Sequence, residues 1–126
     1  MNEDRQKLNI NFEKAVRVMV EAFPLTEDGS KKPVLFHDIR VGTYLYENNY
    51  SSDTVLAGLL HDALEWSGMS EEKIKEKFGE RILEIIKANS KDRTIEDSDK
   101  RIEENIQRCV KAGEEALIVK AADILD

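Results

Sequence analysis

In the stretch Leu59-Leu60-His61-Asp62-Ala63-Leu64-Glu65-Trp66, a histidine, an aspartate and a glutamate follow directly on an apolar run. A segment this apolar is drawn into a core, and ionisable groups carried in with it need partners that offset the loss of water. On a helix, His61 and Glu65 lie four positions apart and Asp62 and Glu65 three, so both pairs fall on neighbouring turns of one surface. His61 and Asp62 point about 100° apart, so an ion shared by them lies over the edge between them. Two side chains on one helix seldom complete a metal shell, and other helices must supply the rest.

The remainder of the chain reads as helical. Only two prolines and six glycines interrupt 126 residues rich in Lys, Glu, Leu and Ile, so the expected fold class is all-α, in one compact multi-helix domain over residues 1–126. Leu8, Phe12, Ala15, Val16, Met19 and Phe23 recur at helical spacing and predict a helix over about residues 4–23, stopped by Pro24. Thr26 to Pro33 concentrates turn formers and charge, and predicts an exposed loop whose Lys31 and Lys32 either meet an anionic ligand or are simply solvated. Asp38 reads as the cap of a helix that turns Ile39, Val41, Tyr44 and Leu45 toward the core, with His37 at its entrance. Ser52 or Asp53 then caps a helix holding Val55, Leu56, Leu59, Leu60, Ala63 and Leu64, closed by Gly68.

Ser70 opens a further helix ended by Gly79, and Ile82, Leu83, Ile85 and Ile86 mark another. Residues 90–100 carry almost no apolar material and predict a mobile charged loop. Ile102, Ile106, Cys109 and Val110 restore a helical stripe. Gly113 separates it from a last helix in which Asp123 sits among Ala116, Leu117, Val119, Ala121, Ile124 and Leu125. Cys109, at core spacing and without a nearby histidine, reads as a buried structural thiol.

Charge narrows the partners. With 19 Lys and Arg against 26 Asp and Glu, net charge −7, the chain has no broad positive field for a nucleic-acid polymer. A small phosphate ester remains open, because a metal supplies local positive charge. No apolar stretch approaches the roughly 20 residues that span a bilayer, one cysteine cannot form an internal disulfide, and no signal segment opens the chain. A cytoplasmic protein is expected.

His37 and His61 are the only two histidines, and each stands beside an aspartate in apolar surroundings. Imidazoles with carboxylates suit Mn²⁺, Fe²⁺ or Zn²⁺, with Mg²⁺ less favoured, but a His-Asp dipeptide also arises by chance and a lone histidine is often just packed and hydrogen-bonded. The residues alone leave both readings open.

Taken in order and spacing, Pro33-Val34-Leu35-Phe36-His37, Leu59-Leu60-His61-Asp62 with Glu65, Phe78-Gly79, Ser90-Lys91 and Lys120-Ala121-Ala122-Asp123 resemble the HD-domain phosphohydrolases. Within these, the likeness is nearest to the hydrolase domain of the Rel/Spo stringent-response proteins and their small stand-alone relatives, which remove the 3′-pyrophosphate of guanosine alarmones such as ppGpp. The resemblance runs from about Gly29 to Asp123. It implies that His37, His61, Asp62 and Asp123 hold one divalent ion, Mn²⁺ first, with Fe²⁺, Zn²⁺ or Mg²⁺ as alternatives. It also implies that Glu65, with Asp62, serves catalysis by moving a proton or positioning water, and that Lys120 and Lys91 are placed to contact a small phosphorylated nucleotide.

Three departures from that family qualify the substrate. The chain has Trp66 where close relatives have an aspartate, Asp38 where they have a proline, and Ile124 where they have an arginine. Trp66 offers either a stacking surface for the substrate or bulk that packs against a helix. Only Lys31 and Lys32 represent the basic segment that relatives carry ahead of the proline. Two alternatives follow: hydrolysis of another nucleotide, or a regulatory module that binds nucleotide or protein without turnover. Relatives continue past the position of Asp123, so the chain is expected to be truncated at its C-terminus, or to rely on the metal or on a partner, a homo-oligomer included, to hold its last helix.

Overall fold

The sequence leaves one helix with no polar face to offer solvent, and the fold is arranged around it. The computed structural model describes residues 3–126, in which eight helical segments and no strands occur. Helix α3, Ser52–Leu60, is buried at every position from Thr54 onward, and packs against α1 (Glu3–Ala22), α2 (Val34–Glu47), α6 (Glu80–Asn89) and α8 (Glu114–Leu125). A helix that is apolar all round is stable only when wrapped in this way. Leu59 and Leu60 are wholly enclosed, and truncating either to alanine should cost about 2–5 kcal/mol. The outer helices α5 (Glu71–Phe78) and α7 (Ser98–Ala112) bury narrower stripes and complete the shell around α6.

Two glycines let α2 and α3 approach closely. A Cβ on Gly42 would overlap the side chain of Leu59, and one on Gly58 would overlap Leu45. The close approach matters to function because α2 carries His37 and α3 ends at His61. At the opposite end of the bundle, Glu115 fixes α8: its carboxylate accepts hydrogen bonds from Ser51 Oγ at 2.8 Å and Arg81 Nη2 at 3.1 Å. The register of α8 that brings Asp123 inward is thereby tied to α3 and α6.

Several boundaries differ from the sequence expectation. The helix expected to run unbroken to Gly68 divides into α3 and a short α4, Ala63–Trp66, with His61 and Asp62 at the break. No glycine or proline marks that point. Helix α3 starts one residue early, capped by Ser51, whose Oγ accepts from Thr54 N at 3.2 Å. Helix α2 begins at Val34 behind Pro33, so Asp38 is no cap: it lies inside the helix and is completely buried. Tyr44, expected toward the core, is 47% exposed. The charged loop ends sooner than expected, because Asp97 accepts from Lys100 N at 3.0 Å and starts α7 at Ser98.

Candidate metal centre

The break at His61 and Asp62 bears on how two adjacent residues could share one ion. On a continuous helix the two side chains diverge, whereas here Asp62 leaves the helical path at φ −96°, ψ 1°, and its Oδ2 comes to 3.2 Å from His61 Nε2. From α2, His37 stands edge-on to His61 with ring centroids 5.4 Å apart. From α8, Asp123 Oδ1 lies 2.6 Å from His37 Nε2 and 3.2 Å from His61 Nε2. His37, His61, Asp62 and Asp123, from three separate stretches of the chain, are therefore brought together.

Both imidazoles are oriented from behind. His61 Nδ1 donates to the carbonyl of Gly58 at 2.7 Å, and His37 Nδ1 donates to Asp126 Oδ2 at 2.8 Å, whose other oxygen accepts from Arg40 Nε at 2.7 Å. With the Nδ1 atoms so engaged, both Nε2 atoms face the carboxylates, the orientation a metal ligand needs. The 2.6 Å separation between His37 Nε2 and Asp123 Oδ1 is that of a short hydrogen bond.

Sequence reasoning missed Asp38, which read as a helix cap. Its carboxylate is buried, its two oxygens have no hydrogen-bond partner, and Oδ1 sits 3.6 Å from His61 Nε2 and 4.0 Å from His37 Nε2. His37, Asp38, His61 and Asp62 each offer a ligand atom within 4.8 Å of the others. A buried carboxylate without a donor is costly, and a divalent cation among these groups removes that cost. The donor set thus fits a metal ion. Its mixed nitrogen and oxygen character suits Mn²⁺, Fe²⁺ or Zn²⁺ and does not select among them. The only signal for Asp38 in the sequence is its adjacency to His37.

Without an ion the ionisation is strongly uneven. Burial, and then the neighbouring carboxylate of Asp62, push Asp38 up to about 11. Asp123 moves the other way: burial opposes its charge, but the hydrogen bonds from His37 and His61 outweigh this and hold it far below the carboxylate range. For His61, burial disfavours the proton, yet the hydrogen bond to Asp123 and the charge of Asp62 raise its pKa overall.

The cluster opens into a cavity of about 570 Å³, lined by Asp62, Asp123, Glu65, Trp66, Lys31, Lys32, Lys91 and Arg93 among others. That volume lies in the range of small-molecule sites. Lys32 Nζ is 3.6 Å from Asp123 Oδ1. Lys120 is buried behind the site, 3.7 Å from Asp123 Oδ2, and burial lowers its pKa. Glu65 is held by the loop facing it: Oε1 accepts from Lys91 N at 2.7 Å and Oε2 from Arg93 Nη2 at 3.0 Å. Trp66 is 48% exposed, and the Arg93 guanidinium stands 5.3 Å from the centroid of its ring. Arg93, Arg40 and Asp126 carry no motif signal, because only the fold brings them here.

A helical bundle whose central helix breaks at a His-Asp pair, with a histidine and aspartates from other helices converging on it, defines a protein with a candidate divalent-metal centre. The HD-domain family model matches residues 15–125, and the chain belongs to the HD-domain family of hydrolases. It is related within that family to the ppGpp hydrolases. It is 28% identical over its whole length to guanosine-3′,5′-bis(diphosphate) 3′-pyrophosphohydrolase of Aquifex aeolicus, of which it covers 19%. To the Drosophila melanogaster enzyme of the same activity, MESH1, it is 29% identical over 79% of this chain and 56% of that one. The chain thus spans less than a fifth of the Aquifex protein and little more than half of the Drosophila one. In fold it resembles the solved structure of a metazoan ortholog of SpoT, with TM-score 0.74 and 22% identity over 90% of this chain and 65% of that one. Among the described residues, no helix is long and apolar enough to cross a membrane.

Proposed function

We propose that this chain is a divalent-metal-dependent phosphohydrolase acting on a small phosphorylated nucleotide, with the 3′-pyrophosphate of guanosine 3′,5′-bis(diphosphate) as the leading substrate. The observation that carries the reading is the convergence of two imidazole Nε2 atoms and the carboxylates of Asp38, Asp62 and Asp123 beside a cavity edged by cations and an indole. The names of the relatives supply the nucleotide.

In this reading His37, His61, Asp62 and Asp123 hold the ion, Mn²⁺ first, with Asp38 beside them. When bound, the ion contributes Lewis acidity toward water and toward the phosphoryl oxygens. Asp62, on the cavity side of the cluster, helps orient the attacking water. Glu65 accepts the proton that water loses as its oxygen bonds to phosphorus, and delivers it to the departing 3′-oxygen as the bond from phosphorus to that oxygen breaks, freeing pyrophosphate and leaving a 3′-hydroxyl. Lys31, Lys32 and Lys91 steady the phosphoryl groups, and Trp66 provides a face for the base. Lys120 holds Asp123 in place from behind.

Purified protein loaded with Mn²⁺ and offered guanosine alarmones and a panel of nucleotides should release pyrophosphate or phosphate, and Asp62→Ala should not. Absence of release from every nucleotide would count against catalysis. A module that binds nucleotide without turnover is the second reading, favoured by one observation: both oxygens of Glu65 are already engaged by Lys91 and Arg93. Calorimetric binding with no product formation would select it.

A further inference from the structure

We propose that Arg40, on the surface and outside the cavity, is a positioning residue for the metal centre: it holds Asp126, and Asp126 holds His37. The inference rests on the metal-dependent reading and adds to it a residue that would touch neither ion nor substrate.

Two helices each place a pair of residues one turn apart. On α2 these are His37 and Arg40, and at the end of α8 they are Asp123 and Asp126. The two aspartates take the two ring nitrogens of His37: Asp123 Oδ1 lies 2.6 Å from Nε2, and Asp126 Oδ2 lies 2.8 Å from Nδ1. Arg40 Nε donates to the other oxygen of Asp126 at 2.7 Å, so this carboxylate is tied at both ends. The backbone of Asp126 is fixed as well, its N–H donating to Ala122 O at 3.2 Å. The side chain of Asp126 is 18% exposed and that of Arg40 58%. Neither lines the cavity beside the metal cluster; both edge a separate groove between α2 and α8.

The two histidines are supported unequally. His61 Nδ1 is held by the carbonyl of Gly58, three residues back in α3, so its orientation comes with its own helix. His37 has no such support, and both its partners come from α8. An ion on Nε2 uses the lone pair there and takes Asp123 as a ligand, which leaves Asp126 as the partner that fixes the ring. A carboxylate at the far nitrogen also raises the basicity of the imidazole. Without Arg40, Asp126 keeps one tether, and its carboxylate can turn away. An ion pair with one exposed member contributes little to folding, so removing Arg40 should show in metal affinity rather than in stability.

Calorimetric titration of Mn²⁺ into wild type, Arg40→Gln, Asp126→Ala and the double variant tests the chain of contacts. Asp126→Ala should weaken binding about 10–100-fold, the range for losing the partner of a metal-bound imidazole, and Arg40→Gln about 3–10-fold. In the Asp126→Ala background, Arg40→Gln should change affinity by less than about twofold, because it acts only through Asp126. The thermal midpoint of Arg40→Gln should stay within about 2 °C of wild type. Full affinity in Arg40→Gln, or losses that multiply in the double variant, would overturn the proposal. If the wild type binds no Mn²⁺, the metal reading fails separately, and nitrogen NMR of the metal-free protein, which has only two imidazoles, decides. Arg40→Gln should then move the Nδ1 signal of His37 and leave that of His61 in place, and a His37 signal that stays put would refute the role of Arg40.

Discussion

The floor of the cavity and its rim are built on different principles. The floor is made where α2, α3 and α8 meet, and holds buried polar groups that would be costly there without a cation: His37 and His61 at 4% and 2% exposure, and Asp38 at 0%. The rim is made from exposed or partly exposed groups, with Trp66 at 48% and a charged loop carrying Lys91 and Arg93. Packing fixes the position of each floor group, so chemistry that needs one geometry belongs there. The rim can change side chains at little cost in stability, and substrate choice belongs with it.

Substitutions at floor and rim should therefore fail in different ways. The largest effect is expected at a ligand: His61→Ala should lower Mn²⁺ affinity at least about 100-fold and abolish turnover, as calorimetry and product assay would report. If the protein keeps full metal affinity, the floor is not a metal site. Next is Asp38→Asn, whose sign depends on the metal. An aspartate whose folded pKa lies above its unfolded one costs stability at every pH above the unfolded value, so asparagine should stabilise the metal-free protein. We expect about 1–3 kcal/mol in denaturant titration, together with a Mn²⁺ affinity about 10-fold or more weaker. Stabilisation in both states would place Asp38 outside the metal's reach.

Gly42→Ala should cost about 1–3 kcal/mol, because the new methyl group meets Leu59 where α2 and α3 approach each other, and Mn²⁺ affinity should fall with it as the two histidines separate. Loss of stability with unchanged affinity would show that the helix spacing does not set the site. The smallest effect is expected at the rim. Trp66→Ala should leave metal affinity and thermal stability within about 0.5 kcal/mol of the parent, while raising KM about 10-fold through the lost stacking face. A fall in metal affinity at Trp66 would erase the distinction between floor and rim.

The sequence was most informative where side chains repeat with a helical period or stand in a fixed order. The all-helical class, the caps at Ser70 and Gly79, and the approach of His37, His61, Asp62 and Asp123 were all legible, the last chiefly through resemblance to a family. Asp38 was misread because an aspartate after an apolar run makes a good cap, and only the start of α2 at Val34 turns it inward. The break after Leu60 had no glycine or proline to announce it. It follows from tertiary demands: the Nδ1 proton of His61 bonds back to Gly58 O while Asp62 turns toward the same centre. Arg93 and Asp126 were invisible for another reason. A charged loop and a residue beyond the last apolar repeat have no periodicity, so their partners, Glu65 and His37, are set by the fold alone.

The central claim, that the floor is a single cation site built from both histidines and their carboxylates, is tested most directly by titrating Mn²⁺ into the metal-free protein by calorimetry at several pH values. His61 and Asp38 both have raised pKa values, so near neutrality protons must leave as the ion enters. The account predicts one ion per chain, an apparent affinity that strengthens from about pH 6 to about pH 8 with protons released to buffer, and loss of binding in Asp62→Ala. Binding that is absent, independent of pH, or retained in both Asp62→Ala and His61→Ala would contradict it.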